Sequence, residues 1–209
     1  MPKYSKSDIR YTIREDDFRR IIKSTKLLRD RLFLCLLYCT GARPSEISGD
    51  PQRGLKGMTI GDIVYDLGKG EITFKVPISK LKKDEYGQEK RILTLEFDPN
   101  NIDLPIRLII NWLNRQYKRF QKTGETKLDQ QIFDFTRRTG YNIVSRASKV
   151  IGVQICPYNF RHSRLTQLAE QGAGIETLMY FKGSKDIKSI QPYLHAKAVK
   201  FKLKREDET

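Results

Sequence analysis

Residues 28–38, Leu-Arg-Asp-Arg-Leu-Phe-Leu-Cys-Leu-Leu-Tyr, are apolar on nearly every face of a helix after the first turn. A surface helix carries one apolar stripe, whereas a helix apolar all round has to be enclosed by other elements. The chain must therefore wrap itself around this segment, with Leu32, Leu34, Cys35, Leu36 and Leu37 at the centre of its core. Its 209 residues suffice for one substantial core with a small appendage. Thr40-Gly41-Ala42 ends the helix, and Pro44, at a first helical position, opens a short one over Ser45 to Ile47.

The remaining periodicity is mostly helical. Asp16-Asp17-Phe18 opens a helix running to about residue 27, with Phe18, Ile21 and Ile22 on its apolar face. Residues 49–58 read as a loop. Asp62 to Tyr65 is a short strand. Glu71 to Ile78 alternates Ile72, Phe74, Val76 and Ile78, and Arg91 to Phe97 alternates Ile92, Thr94 and Glu96 against Leu93, Leu95 and Phe97, both half-buried strands by their period of two. Ser79 to Lys90, charged and containing Gly87, is an exposed hairpin tip. Helices follow over Leu104–Phe120, Asp134–Ile151 (one or a pair), Asn159–Gln171 and Glu176–Phe181, and a last one from Ile187 to about Lys202 that Pro192 breaks or kinks. The expected fold is mostly α with a small antiparallel β-sheet (α+β). Residues 1–14 are a polar lead-in or linker, 15–200 the domain and 201–209 a charged tail.

Forty basic against 25 acidic residues leave a net charge of +15. This favours a polyanionic partner, most simply nucleic acid. The N-terminus lacks the apolar stretch of a secretory signal, and no apolar run reaches the roughly 20 residues that span a bilayer, so no membrane partner is expected. Cys35 and Cys39 share a helical face as buried thiols, and Cys156 stands alone; an intracellular, cytoplasmic setting follows. Two histidines without ligand spacing and no acidic cluster give no metal site.

Two stretches carry chemistry. In Thr40-Gly41-Ala42-Arg43-Pro44-Ser45-Glu46-Ile47, Arg43 follows a glycine turn and stands at a helix start, a geometry suited to phosphate. Glu46 braces that arginine or caps the helix; an Arg–Glu pair there is also common as mere structure. Residues 157–195 place Arg161 and His162 at the head of one helix and Tyr193 further along. A tyrosine hydroxyl with fixed arginines on a basic chain points to attack on a phosphodiester.

Thr40 to Ile47, Arg161-His162-Ser163, and Gly183 with Tyr193 and His195 resemble, in order and spacing, the three boxes of the tyrosine recombinase (phage integrase) family. The resemblance covers residues 15–200, the family's catalytic domain. It implies that Arg43 and Arg161 clamp the scissile phosphate, that Tyr193 is the nucleophile, and that Lys80 is the acid protonating the leaving 5′ oxygen. Lys82, Lys83 and Lys90 in the same loop, with Lys182 and Lys185, are expected to contact DNA. Two positions depart from the family pattern. Tyr158 stands where histidine is common, as in some archaeal plasmid and virus integrases with a Tyr-x-x-Arg second box. Ser184 stands where histidine or tryptophan is common. Tyr158 can hydrogen-bond a phosphate oxygen, although a phenol titrating near ~10 is a poor base at neutral pH. Ser184 can donate one hydrogen bond. His162 points about 100° from Arg161 around a helix, which suggests structural support together with Glu46.

The implied activity is that of a site-specific DNA recombinase or integrase that cuts and rejoins strands through a 3′-phosphotyrosyl intermediate. It needs no metal, cofactor or ATP and works as a homo-oligomer, dimer or tetramer, on double-stranded DNA. Family members usually have a helical DNA-binding domain before this one. The alternatives are a type IB topoisomerase-like enzyme and a non-catalytic DNA-binding protein derived from a recombinase.

Overall fold

The computed structural model describes residues 11–78, 90–125, 127–184 and 186–194. Helix α1 (Glu15–Ser24) opens with Glu15, Asp16 and Asp17 at its positive end and buries Phe18, Ile21 and Ile22. Helix α2 (Leu28–Thr40) is the central helix that the sequence requires: Leu32 through Leu37, Cys39 and Thr40 are all buried. It ends at Gly41, whose φ of 56° is left-handed and whose N–H is donated to the Leu37 carbonyl. Helix α3 (Pro44–Ser48) follows at once.

Strands β1 (Ile63–Asp66), β2 (Glu71–Pro77) and β3 (Lys90–Glu96) form one antiparallel sheet in that order. Phe74 lies opposite Leu93, and Ile72 opposite Leu95. The core face of β2 carries Ile72, Phe74 and Val76. Lys90 belongs to β3, opposite Pro77, rather than to the hairpin tip. Its Nζ lies 2.6 Å from an oxygen of the buried Asp62.

Helix α4 (Leu104–Thr123) packs along α2, as does helix α6 (Pro157–Glu170). Between them, helix α5 (Arg137–Ala147) starts three residues later than its pattern suggests. The preceding segment is extended because Phe133 and Phe135 turn inward against Phe33, at ring distances of 5.5 and 5.2 Å. Helix α7 (Ile175–Lys182) ends at Gly183, again left-handed at φ 57°.

The last expected helix is not formed over its described part. Ile187–Ser189 and Gln191–Tyr193 are two single 3₁₀ turns. Pro192 has no N–H to donate and its ring clashes with a preceding helical carbonyl, so the chain turns tightly and carries Tyr193 into the core. Cys35, Cys39 and Cys156 are buried free thiols, and burial pushes that of Cys39 up to about 12. Among the described residues no helix is long and apolar enough to cross a membrane.

Candidate active site

The turn after α2 is where the site is assembled. A Cβ on Gly41 would lie 2.9 Å from the Phe181 ring and 3.4 Å from the Arg161 Cα, so only glycine lets α6 and α7 close over the end of α2. The same turn directs Arg43 toward Arg161. Arg161 is 2 % exposed, and its guanidinium donates to the Gly41 carbonyl at 3.0 Å and to the Lys182 carbonyl. One side chain thus ties the ends of α2 and α7 together.

Glu46 is fully buried between three arginines. It accepts from the Arg43 backbone N–H at 2.8 Å and from the Arg43 guanidinium at 2.5 Å. It also accepts from Arg91 at 3.0 Å, and Arg161 lies 3.8 Å away. Burial opposes its charge, but Arg91, Arg161 and Arg43 together hold its carboxyl down at about 2. It both braces Arg43 and caps α3, the two alternatives the sequence leaves open. Burial and the nearby Arg43 charge depress Arg161 to about 9.

Arg91 is the functional candidate that sequence reading missed. It is completely buried, with its Nε and Nη1 unpartnered among the described residues. The period of two in β3, continued one step back from Leu93, already places it on the core face. A Cβ on Gly183 would approach its Nη1 to 3.1 Å. That glycine therefore serves a left-handed turn and leaves room for a buried guanidinium.

Arg43 and Arg161 border a cavity of about 450 Å³. Arg43, Arg53, Arg137, Arg161 and Lys182 line it with Tyr141, Tyr158 and Ser184, and no lining residue is acidic. Pro157 and Tyr158, in the first turn of α6, form part of its wall. The site can therefore hold an anion with planar donors from several directions. Arg53 and Arg137 were not anticipated, because isolated exposed arginines carry no sequence signal.

Tyr193 is 2 % exposed and sits behind the cavity wall. Its hydroxyl lies near that of Tyr158, which lines the cavity, and 3.3 Å from His162 Nδ1. Burial, with Tyr158, raises the Tyr193 phenol well above its ordinary value, while Arg161 opposes this. Lys182 lies over the Tyr193 ring, its Nζ 5.4 Å from the centroid, and donates to the Ser189 carbonyl. Ser184 accepts from the Ser189 hydroxyl at 3.1 Å. The fold thus brings Arg43, Glu46, Tyr158, Arg161, His162, Lys182, Ser184 and Tyr193 together, and leaves Lys90 on Asp62 at the sheet. Lys80, Lys82, Lys83 and Lys185 lie outside the described residues.

A mostly helical domain with this small antiparallel sheet has the fold of recombinase catalytic domains. The chain belongs to the phage integrase family, whose model matches residues 11–199. It is 24% identical over 195 residues to the tyrosine recombinase XerA of Saccharolobus solfataricus, covering 93% of this chain and 55% of that protein. It is 26% identical to XerA of Pyrococcus horikoshii, covering 92% and 59%. The chain thus spans a little over half the length of these relatives. Its fold matches the crystal structure of XerA recombinase with a TM-score of 0.56 at 18% identity, over 90% of this chain and 61% of the other. It matches XerH site-specific recombinase bound to difH substrate in a pre-cleavage complex at 0.57 and 16% identity, over 93% and 51%.

Proposed function

We propose that this chain is the catalytic part of a site-specific DNA recombinase. In this reading it cuts one strand by attack of the Tyr193 hydroxyl on phosphorus and later rejoins it from the 3′-phosphotyrosyl link. The observation that carries the proposal is the cluster of Arg43, Arg91 and Arg161 around the single carboxylate of Glu46, at a cavity backed by Tyr193. These three cations and one anion together carry two net positive charges. A phosphodiester brings one negative charge and gains more as the nucleophile adds, so the cluster favours the transition state over the ground state. Arg43 and Arg161 would hold the non-bridging oxygens, with hydrogen bonds from Tyr158 and Ser184, and Lys80 would protonate the leaving 5′ oxygen. The phosphoester is retained in the intermediate, so rejoining requires no external energy source. The relatives' names and the likeness to a recombinase bound to difH substrate support DNA as the substrate. Work on paired sites would require a dimer or tetramer.

The test is incubation with nicked duplexes of partly randomised sequence and a search for SDS-resistant adducts. Adducts are expected from the wild type and none from Tyr193→Phe. Adducts that persist in the mutant would assign the nucleophile elsewhere. Salt-sensitive retention of DNA without any adduct would favour a binding protein.

The exposed cavity arginines supply a second expectation. Lys90 and Lys182 are engaged with Asp62 and the Ser189 carbonyl; Arg53, its Nε 3.6 Å from Asp50, and Arg137 border the cavity from solvent-exposed positions. Arg53→Ala and Arg137→Ala should each weaken DNA retention without sequence preference. Each should reduce the slope of log affinity against log salt by about 1. An unchanged slope in both variants, measured by fluorescence anisotropy, would place the duplex elsewhere.

A further inference from the structure

We propose that His162 is the proton acceptor for the Tyr193 hydroxyl, a catalytic residue additional to the arginines, lysine and tyrosine named above. The proposal rests on the strand-cleavage reading. It starts from geometry: His162 Nδ1 lies 3.3 Å from the Tyr193 Oη, with the ring centroids 5.3 Å apart and tilted by 45°. Helix α6 sets this contact. Arg161 points to the cavity and, about 100° further round, the half-buried His162 meets the turn that Pro192 makes. The Ile190 carbonyl accepts the Tyr193 N–H at 2.9 Å, and Lys182, tied to Ser189, covers the ring, so the phenol is held against the imidazole.

Among the described residues the other groups around this hydroxyl are poor proton acceptors. Arg161 on the same helix and Lys182 from α7 are cations that only donate. They can stabilise a phenolate but cannot take its proton. Tyr158 can accept a hydrogen bond, yet a phenol is a weak base at neutral pH. An imidazole with its hydrogen on Nε2 has a lone pair on Nδ1 and an ordinary titration range near neutrality.

In the cleavage step the Tyr193 O–H bond breaks and its proton passes to Nδ1. The Oη–P bond forms, the P–O5′ bond breaks, and the leaving oxygen takes a proton from the general acid. Rejoining reverses each transfer. The 5′ hydroxyl attacks, the P–Oη bond breaks, and the imidazolium returns its proton to the departing tyrosine oxygen.

The test compares wild type with His162→Gln, which can still hydrogen-bond but does not accept a proton. Adduct formation on the nicked duplex is expected to slow by about 100-fold or more. The rise of the wild-type rate through the imidazole range should be absent from the variant. In a Tyr193→Phe background, transfer from an oligonucleotide bearing a 3′-(4-nitrophenyl) phosphate to a 5′-hydroxyl strand reads the arginines and the group that takes the 5′ proton, but not the tyrosine's proton, because nitrophenolate departs without one. Adding His162→Gln to that background should leave this transfer unchanged.

Loss of nitrophenyl transfer together with adduct formation would make His162 a support for Arg161 and overturn the proposal. Undiminished adduct formation would also overturn it. A faster variant would identify the contact as a latch holding Tyr193 in its buried position, again against the proposal. Absence of any Tyr193-dependent adduct from the wild type would instead remove the strand-cleavage reading, and His162 with it.

Discussion

Arg161→Lys should slow formation of the Tyr193 adduct by about 100- to 1000-fold while the protein still retains DNA. The native guanidinium donates to the Gly41 and Lys182 carbonyls and, on the proposed assignment, has donors left for a phosphate oxygen. A planar fork can serve these partners at once, whereas an ammonium is a point charge at a different reach. The charge would remain, so weak electrostatic attraction of DNA survives and the loss falls on the charge developing in the transition state. Single-turnover adduct formation at saturating protein is the measurement, with thermal melting as a control for the ties between α2 and α7. A loss confined to affinity, with the saturated rate unchanged, would remove Arg161 from the reacting phosphate.

The second large effect concerns stability. Glu46→Gln should destabilise the fold by about 3–5 kcal/mol, because it leaves Arg91, fully buried, without its counter-charge. The pH dependence should carry the same signature. Glu46 titrates in the fold at about 2 rather than near its ordinary 4.5. A depressed carboxyl contributes stability that is fully present above the unfolded value and is lost as pH falls through the folded one. The difference between wild type and Glu46→Gln in denaturant midpoint should therefore be constant near neutrality and shrink between about pH 4.5 and 2. A difference that stayed constant down to pH 2 would mean that Glu46 does not carry the charge balancing the arginines.

The sequence placed the strongly patterned elements well. The central helix, the three strands and the α6 segment all stand within a few residues of their expected bounds, because burial of a continuous apolar surface imposes a period that can be read locally. The departures have local physical causes. The start of α5 is delayed because two phenylalanines reach Phe33 from an extended segment. The segment leading to Tyr193 turns tightly at Pro192 in place of a helix.

Much of the candidate site was legible as motifs. Arg43, Tyr158, Arg161 and Ser184 were grouped from their boxes, and all four border one cavity. Arg91 was missed although its alternation was visible, since a charged residue on a core face has no local reason to be there. Its partner, Glu46, comes from a helix 45 positions earlier. Lys90 read as part of a basic tip because the sequence does not reveal that Asp62 waits across the sheet.

By itself, then, the sequence determined a mostly helical domain around Leu32–Leu37, with a small antiparallel sheet and an ordered set of arginines and a tyrosine. Those properties follow from periodicity and from residue chemistry at fixed spacing. Only the tertiary structure decided that three arginines share one buried carboxylate, that Arg53 and Arg137 join the cavity, and that His162 touches the Tyr193 hydroxyl. Such pairings depend on which elements meet, and that is set by the packing of distant segments around the core.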